Sequence, residues 1–273
     1  MIFGIRRNDL VLEVGSGDFP NRFSDVLVDK HPFRNFQRNK DISLDRRLFI
    51  AADAQRLPFK DRAFDFVIAS NILPYIDDPQ VFFNELTRVA PRGVIVSISE
   101  LFEQIRDIEF HKWYVNIAGG KIILKRKNKP DPRFGKFFHL LCEEDKCFKK
   151  FLNKHWYLFN LVYLWEGKIN YQVVPDEQRV VDWSDPDKVR QMTKDTRPSL
   201  MRFLDYLFPQ QFKNFVAARF IMMKKKRIRP ELSDILVCPV CRGKVDISKD
   251  GVLCVKCKKT YRIKDGIPFM LDE

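Results

Sequence analysis

The stretch NDLVLEVGSGDFPNRFSDVLVDK, residues 8–30, decides the fold of this 273-residue chain. One apolar run in it ends on the glycine pair Gly15 and Gly17, and a second apolar run ends on Asp29. Short continuous apolar runs are typical of strands that are buried on both faces, as in a parallel sheet. A glycine turn after one strand and a carboxylate after the next predict a ligand site where the two strands end.

The first hundred residues continue this pattern with alternating strand and helix signals. In DPQVFFNELTRVA, Asp78 is placed to cap a helix and Pro79 to occupy its first position. Such alternation predicts a Rossmann-like α/β fold with a mostly parallel sheet, whose ligand lies just after residues 14, 28, 52 and 69. The expected strands are Leu10–Val14, Asp25–Val28, Leu48–Ala51, Phe64–Ala69 and Val94–Ile98.

The glycine turn differs from a dinucleotide site. A dinucleotide fingerprint needs a third glycine that lets the helix pack closely beneath a pyrophosphate, and here that position is Pro20. Asp18 also adds a negative charge where a phosphate would lie. A nicotinamide oxidoreductase is therefore disfavoured, and a ligand with a ribose and a zwitterionic tail fits better.

These residues resemble the core of class I S-adenosylmethionine-dependent methyltransferases. LVLEVGSGDFP is similar to the first motif of that family, VLVDK to the acidic end of its second strand, and residues 51–98 to the rest of its core. The resemblance implies that Glu13, Gly15 and Gly17 line the methionine and ribose part of the cofactor. It also implies roles for the residues that come after the later strands: Asp29 at the ribose hydroxyls, Asp53 and the Ala54 backbone at the adenine, and Ser70 and Asn71 near the methyl group.

Each of these residues also has a purely structural interpretation. Asp29 could simply end a strand, and Asp53 could serve as a turn or cap residue, as Asp often does. The first crossover departs from the family as well, because only residues 15–24 are available for it, which is near the lower limit for a parallel connection. We therefore expect at most one short helical turn there, and a cofactor pocket that part of residues 100–228 covers.

Residues 100–230 are basic and aromatic. They carry 27 Lys and Arg against 16 Asp and Glu, within a chain of net charge +13, and they contain all four Trp. Such a surface suits an anionic partner such as nucleic acid, phospholipid or a phosphorylated glycan carrier, although a solvated lysine-rich face over an aromatic core explains it equally. The apolar stretch WYLFNLVYLW, residues 156–165, is too short to span a bilayer.

Local patterns within this region are weaker. We expect strands in GGKIILKRK and KINYQVV, helices in DPDKVRQMTKDT and SLMRFLDYLFPQQFKNF, and a late strand in ARFIMMKKKR. His111 lies beside Trp113 and Tyr114, where related enzymes build substrate pockets, so it is the first candidate for a catalytic base; His139 is the second, and either could be structural. Cys142 and Cys147 are expected to be ordinary thiols.

The tail carries two C-x-x-C hooks, Cys238 with Cys241 and Cys254 with Cys257, which are separated by 12 residues. This spacing predicts a structural four-thiolate zinc ribbon, while two disulfides or a redox pair are the alternative. The flanking ILVCPVCRGKV and YRIKDGIPFML resemble the small zinc-ribbon activator subunit of methyltransferases that act on transfer RNA, ribosomal RNA and release factors. That resemblance implies docking onto the enzyme, here within one chain.

Together these features predict two domains, with no targeting segment and a cytoplasmic location. Residues 1–228 form the methyltransferase domain, with a core at 1–99 and a substrate or cover region at 100–228, and residues 231–273 form the zinc ribbon. We expect methyl transfer from S-adenosylmethionine to an O or N acceptor on an anionic or lipid- or glycan-linked substrate, with possible peripheral membrane contact. The alternatives are a methyltransferase of RNA or a translation factor, and a non-enzymatic binding scaffold.

Overall fold

The computed structural model describes residues 4–33, 45, 47–127, 132–175, 186–187, 227–249 and 251–271. Its strands are β1 Val11–Val14, β2 Val26–Asp29, β3 Leu48–Ala51, β4 Phe66–Ser70, β5 Arg92–Ile98, β6 Trp113–Ala118, β7 Lys121–Arg126, β8 Asn160–Glu166, β9 Tyr171–Val174, β10 Val245–Ile247, β11 Gly251–Cys254, β12 Thr260–Lys264 and β13 Ile267–Pro268. Its helices are α1 Pro79–Val89, α2 Glu100–Arg106, α3 Pro132–Glu144, α4 Lys146–Lys154, α5 Trp156–Phe159 and α6 Leu232–Ile235, with a 3-10 turn at Leu73–Tyr75. No helix in these described segments is long and apolar enough to cross a membrane.

The central sheet has six strands in the order β3-β2-β1-β4-β5-β8. The first five are parallel to one another, and β8 is antiparallel to β5. All four residues of β1 are buried, as expected for an inner strand whose two faces are both covered. The predicted Rossmann-like fold and its five core strands are confirmed.

Helix α1 begins as its sequence predicts. The Asp78 carboxylate accepts hydrogen bonds from the backbone N–H groups of Gln80 and Val81, and Pro79 occupies the first turn. The helix buries Phe82 and Leu86 against the sheet, because these residues lie four apart on one face. Between β1 and β2 the structure has turns only, so the expected shortening of the first crossover is confirmed.

The region after β5 builds a second, three-stranded sheet in the order β6-β7-β9. Strands β7 and β9 confirm the two strand predictions made there. Strand β8 was not predicted: the apolar stretch at residues 156–165 forms α5 and then β8, the edge of the central sheet. The helix expected at 185–196 is described only at residues 186–187, and the helix expected at 199–215 lies outside the described residues. The strand expected at 218–227 is described only at Arg227, which is not in a strand.

The tail forms a four-stranded antiparallel sheet, β10 to β13, that packs on the edge of the central sheet. The Met270 N–H donates to the Ala51 carbonyl of β3 at 2.8 Å, and Phe269 forms a parallel bridge with Ala51. A second bridge joins Leu236 to Phe59. The tail therefore extends the sheet beyond β3 by strand-like pairing, and its apolar side chains join the main core.

One buried carboxylate, that of Glu85 on α1, also holds the tail in place. It accepts hydrogen bonds from the Leu57 N–H at 2.8 Å, from Arg88 at 2.7 Å and from Arg242 of the tail at 2.6 Å. Asp61 contacts the same two arginines, but its side chain is 74% exposed. The two acids share partners and differ in burial.

We expect Glu85→Gln to lower the free energy of unfolding by about 3 kcal/mol, because it leaves buried donors without a charged acceptor. Asp61→Asn should change it by less than about 0.5 kcal/mol, as exposed pairs do. Chemical denaturation of both variants measures the difference. Equal losses would show that burial of Glu85 is not the property that stabilises this contact.

Candidate active site and cysteine cluster

A cleft of about 600 Å³ opens at the carboxyl ends of the parallel strands. Its walls come from the turns after β1, β2, β3 and β4, with one further residue, Lys112, from the region that precedes β6. The lining residues that the sequence had singled out are Glu13, Gly15, Gly17, Asp29, Asp53, Ala54, Ser70 and Asn71. The fold thus brings all eight together at one edge of the sheet, and the volume is typical of small-molecule sites.

The turn after β1 needs its glycines. Gly15 has φ +71°, and a Cβ there would lie 2.7 Å from the Ile72 side chain. Gly17 has φ +56°, which side chains also disfavour. Both glycines therefore let the backbone form one wall of the cleft where any larger residue would be strained.

Asp29 holds this turn against the end of β2. Its carboxylate accepts the Gly17 N–H at 3.0 Å on one oxygen and the His31 N–H at 2.9 Å on the other. Both carboxylate oxygens therefore hold backbone N–H groups in place at the edge of the cleft. Asp29 therefore stabilises the glycine turn, and it also lines the cleft.

Asp53 comes just after β3 and is held in a similar way. It accepts hydrogen bonds from the Gln55 N–H and from Lys30, each at 2.8 Å. Burial acts to raise the pKa of this carboxyl, but the bonds from Lys30 and Gln55 outweigh it and lower the pKa below the usual value. Asp53 is therefore ionised at neutral pH, beside the buried Ala54.

The turn after β4 closes the cleft. Asn71 has φ +54° and donates its N–H to the Val96 carbonyl at 2.8 Å, which directs the chain over the site. Ser16 also lines the cleft, and its buried hydroxyl has no hydrogen-bond partner within the described part of the chain. A buried hydroxyl without a partner is costly, and a bound polar ligand would relieve that cost.

Glu13 is buried beneath the glycine turn. One of its oxygens accepts the Asn21 N–H at 2.8 Å and the Ser24 hydroxyl at 2.6 Å. Burial raises the pKa of Glu13 to about 7, although the bonds from Ser24 and Asn21 and the charge of Arg47 oppose this shift. The carboxyl therefore titrates near neutral pH.

His111, the predicted base, lies beside the cleft and not in its wall. Its Nδ1 lies 2.5 Å from Glu103 Oε2, and its buried Nε2 has no hydrogen-bond partner among the described residues. The other Glu103 oxygen accepts from Lys127 at 2.7 Å. The Tyr75 ring meets the imidazole edge-on at 4.4 Å between centroids, and Tyr75 itself lines the cleft. His139 lies farther away, with Nδ1 2.6 Å from Arg106 on α2.

Several lining residues were missed in the sequence. Tyr75 and Lys112 both line the cleft. In the sequence Tyr75 precedes α1 and Lys112 follows β5, and no motif connects them. Phe19, which is 82% exposed at the mouth, comes directly after the glycine turn and could have been found from its position. Sequence spacing identifies the residues at the end of each strand, but not the residues that fold back over the strands.

The tail gathers its four cysteines. Their Sγ atoms all lie within 4.8 Å of one another, with Cys241 and Cys254 3.4 Å apart and Cys238 and Cys257 3.7 Å apart. Four thiolates around a tetrahedral zinc at about 2.3 Å would be roughly 3.8 Å apart. The residues therefore fit a zinc ion. Cys142 is half-buried and Cys147 exposed, both in the α3–α4 region.

Two family models match the chain. Residues 29–98 match a model described as a methyltransferase domain, and residues 229–266 match a model described as Trm112p-like protein. A UPF0434 protein of Methylobacillus flagellatus is 42% identical over 45 residues, which are 16% of this chain and 75% of that protein. A tetraacyldisaccharide 4'-kinase of Nitrosomonas europaea is 37% identical over 73 residues, which are 25% of this chain and 18% of the kinase. The chain thus spans less than a fifth of that kinase.

Solved structures give a weaker likeness. One is a methyltransferase of Thermotoga maritima described as a possible histamine N-methyltransferase, 16% identical, covering 38% of this chain and 54% of its own, with a TM-score of 0.30. Another is the complex between the Haloferax volcanii Trm112 methyltransferase activator and the putative methyltransferase; it is 19% identical and covers 42% of this chain and 64% of its own, with a TM-score of 0.29.

The titration of Glu13 should be visible in the stability of the protein without added ligand. Burial raises the pKa of Glu13 from 4.5 to about 7 in the folded chain. The contribution of Glu13 to the free energy of unfolding is therefore fully present below pH 4.5, its pKa in the unfolded chain, and is lost as the pH rises through about 7. Glu13→Gln keeps an oxygen that can accept from Asn21 and Ser24, so it should abolish this loss.

We therefore expect the stability of Glu13→Gln relative to the unmodified chain to increase by about 2.5 kcal/mol between pH 5 and pH 8. Urea titrations at both pH values measure it. A stability difference that stays constant with pH would show that Glu13 is ionised throughout.

Proposed function

We propose that this chain, which belongs to the methyltransferases and carries a C-terminal Trm112p-like domain, binds S-adenosylmethionine in the cleft and methylates an O or N acceptor. One observation carries the proposal. The cleft is lined by residues at the ends of β1 to β4, including the acid that ends β2 and another acid just after β3. A methyltransferase core with this ligand-sized cleft has a place for the nucleoside and for its charged tail.

The residues that would hold the cofactor have distinct chemistry. Glu13, Gly15 and Gly17 would face the methionine and ribose part, where backbone can approach closely. Asp29 would accept hydrogen bonds from the ribose hydroxyls, because this acid lines the cleft at the end of β2. Asp53 and the Ala54 backbone would address the adenine, and Ser70 with Asn71 would lie near the methyl group. The Ser16 hydroxyl fits this interpretation, because a bound ligand would supply its partner.

When bound, S-adenosylmethionine supplies an activated methyl group with a good leaving group. The chain's own residues then have mainly to hold the acceptor in line and exclude water, because positioning provides most of the acceleration. The protein needs a base only if the acceptor must lose a proton during the transfer.

His111 is the proposed base. In this proposal the Nδ1–H of His111 donates to Glu103, so Nε2 is the nitrogen that can accept a proton. Tyr75 contacts this ring and lines the cleft, whereas His111 does not, so an acceptor in the cleft would reach the buried Nε2 only past Tyr75. In this proposal Glu103 and Tyr75 position the base, and neither takes the proton itself.

For the acceptor we favour an anionic, lipid- or glycan-linked molecule met in the cytoplasm at a membrane surface. The support is the net charge of residues 100–230 and their aromatic content. One relative, which is 37% identical over 73 residues, is a tetraacyldisaccharide 4'-kinase. The Trm112p-like match favours the second candidate, RNA or a translation factor. RNA binding that weakens steeply with salt would support the second candidate.

The Trm112p-like domain is proposed to hold one structural zinc ion through Cys238, Cys241, Cys254 and Cys257. Four protein ligands leave no open coordination position, so the metal stabilises the domain and takes no part in the chemistry. The domain pairs with β3 at Ala51, two residues before Asp53. Its docking would therefore support the turn that we assign to the adenine.

Isothermal titration with S-adenosylhomocysteine tests the cofactor assignment. We expect binding at sub-millimolar ligand, weakened about 150-fold by Asp29→Ala, because two charge-assisted hydrogen bonds contribute about 1.5 kcal/mol each. Asp18→Ala removes another cleft carboxylate that we assign no cofactor contact, and it serves as the matched control. Absence of binding to the unmodified chain, or equal losses in both variants, would contradict the proposal.

Metal analysis tests the zinc assignment. We expect one zinc per purified chain, and a Cys254→Ser variant that loses zinc and melts at a lower temperature, because metal binding and folding of such a site are coupled. Cys147→Ser, which changes an exposed thiol outside the cluster, should keep both. Full retention of zinc in Cys254→Ser would exclude a site at this cluster.

A further inference from the structure

Helices α3 and α4 form a hairpin that leaves apolar side chains exposed to solvent. On α3, Phe137 is 59% exposed and Leu140 is 47% exposed. On α4, Phe151 is 46% exposed. Large apolar side chains grouped on one element mark an interaction surface more often than scattered ones do. We call these three residues, with the lysines of α4, the hairpin surface.

The direction of α3 is fixed by its contact with α2. A Cβ on Gly135 would lie 2.2 Å from the Arg106 carbonyl, so this side of α3 faces α2 closely. Phe137 and Leu140 lie three residues apart and therefore share a face, and their exposure places that face away from α2. The exposed apolar face thus points outward from the domain.

Helix α4 adds charge of one sign. Its sequence, KCFKKFLNK, contains four lysines and no acidic residue, and none of its residues is buried. Phe148 and Phe151 stack on one another at 6.2 Å between centroids, and Phe148 also meets Phe138 of α3 at 6.4 Å. A row of aromatic rings therefore runs across the hairpin beside a lysine-rich face.

We propose that the hairpin surface seats on an anionic lipid bilayer. A basic amphipathic helix with exposed phenylalanine side chains has the composition of interfacial segments: the apolar side chains enter the headgroup boundary, and the lysines meet anionic headgroups. Nucleic acid would satisfy the lysines but would leave Phe137 and Leu140 in water. An anionic membrane surface can bind the apolar side chains and the lysines at the same time.

The hairpin lies one helix away from the candidate active site. Helix α3 packs on α2, and α2 carries Glu103, which contacts His111 behind Tyr75 of the cleft wall. A membrane below α3 and α4 would therefore present lipid-linked acceptors near the cleft. This account of substrate delivery rests on the proposed function, whereas the binding of the hairpin to vesicles does not.

Vesicle flotation with the full chain tests the proposal. We expect binding to vesicles of phosphatidylglycerol and phosphatidylcholine, and little binding to pure phosphatidylcholine. Phe137→Ser with Leu140→Ser should lower the partition coefficient about tenfold. Changing Lys146, Lys150 and Lys154 together to Gln should lower it about a hundredfold, because each lysine near the surface contributes about 1 kcal/mol. Circular dichroism and thermal melting should show that both variants fold as the unmodified chain does.

Matched controls separate the hairpin from general effects of charge and hydrophobicity. Val173→Ser removes an apolar side chain that is 51% exposed on β9, and a triple change of Lys121, Lys168 and Lys249 to Gln removes the same charge elsewhere. Both controls should keep the vesicle partition coefficient within about twofold of the unmodified chain. Val173 lies outside the hairpin surface, and the three control lysines lie far enough from it for salt to screen their charge.

Three outcomes would overturn the proposal: no binding to anionic vesicles, equal binding to neutral and anionic vesicles, or equal losses in the hairpin and control variants. Salt-sensitive RNA binding that depends on the hairpin lysines, without vesicle binding, would overturn it in favour of nucleic acid. Titration of the same hairpin variants with S-adenosylhomocysteine keeps the two proposals separate. A chain that floats with vesicles but binds no cofactor would contradict the proposed function alone.

Discussion

The carboxylate of Asp29 is the constraint on which the rest of the site depends. By accepting the Gly17 and His31 N–H groups, it fixes the glycine turn after β1 relative to the end of β2. Ile72 packs directly against this turn and occupies the space that a Gly15 side chain would need. A parallel sheet places these turns side by side, and the hydrogen bonds to this one carboxylate convert that proximity into a defined cleft.

The sheet also explains how the tail and the central core become one structure. Strand β3 ends the central sheet and would otherwise expose unpaired backbone groups, which are prone to pair with another chain. Phe269 and Met270 of the tail cover this edge by pairing with Ala51 of β3, and Glu85 secures the contact by accepting from Arg242. Because β3 leads directly into Asp53, the same contact that protects the edge also supports the cleft. Fusion within one chain keeps the two parts together at high effective concentration.

The sequence predicts those parts of the structure that depend on residues close together in the chain. Buried runs, the Asp78 cap and the glycine turn each depend on neighbours in the sequence, so the five core strands, α1 and the eight lining residues could be predicted. Strand β8 could not, because its pairing with β5 joins segments more than sixty residues apart and its aromatic composition suited other structures equally well. His111 shows the same limit: its proximity to the cleft was predicted, but its burial behind Tyr75 depends on how β6 folds over the 3-10 turn.

The most direct test of the central claim is a crystal structure of the chain with S-adenosylhomocysteine. The account predicts density for one nucleoside in the cleft, with its ribose hydroxyls within hydrogen-bonding distance of the Asp29 carboxylate and its adenine beside Asp53 and Ala54. A nucleoside bound elsewhere, or a cleft filled by the protein's own side chains with Asp29 turned toward bulk water, would contradict it.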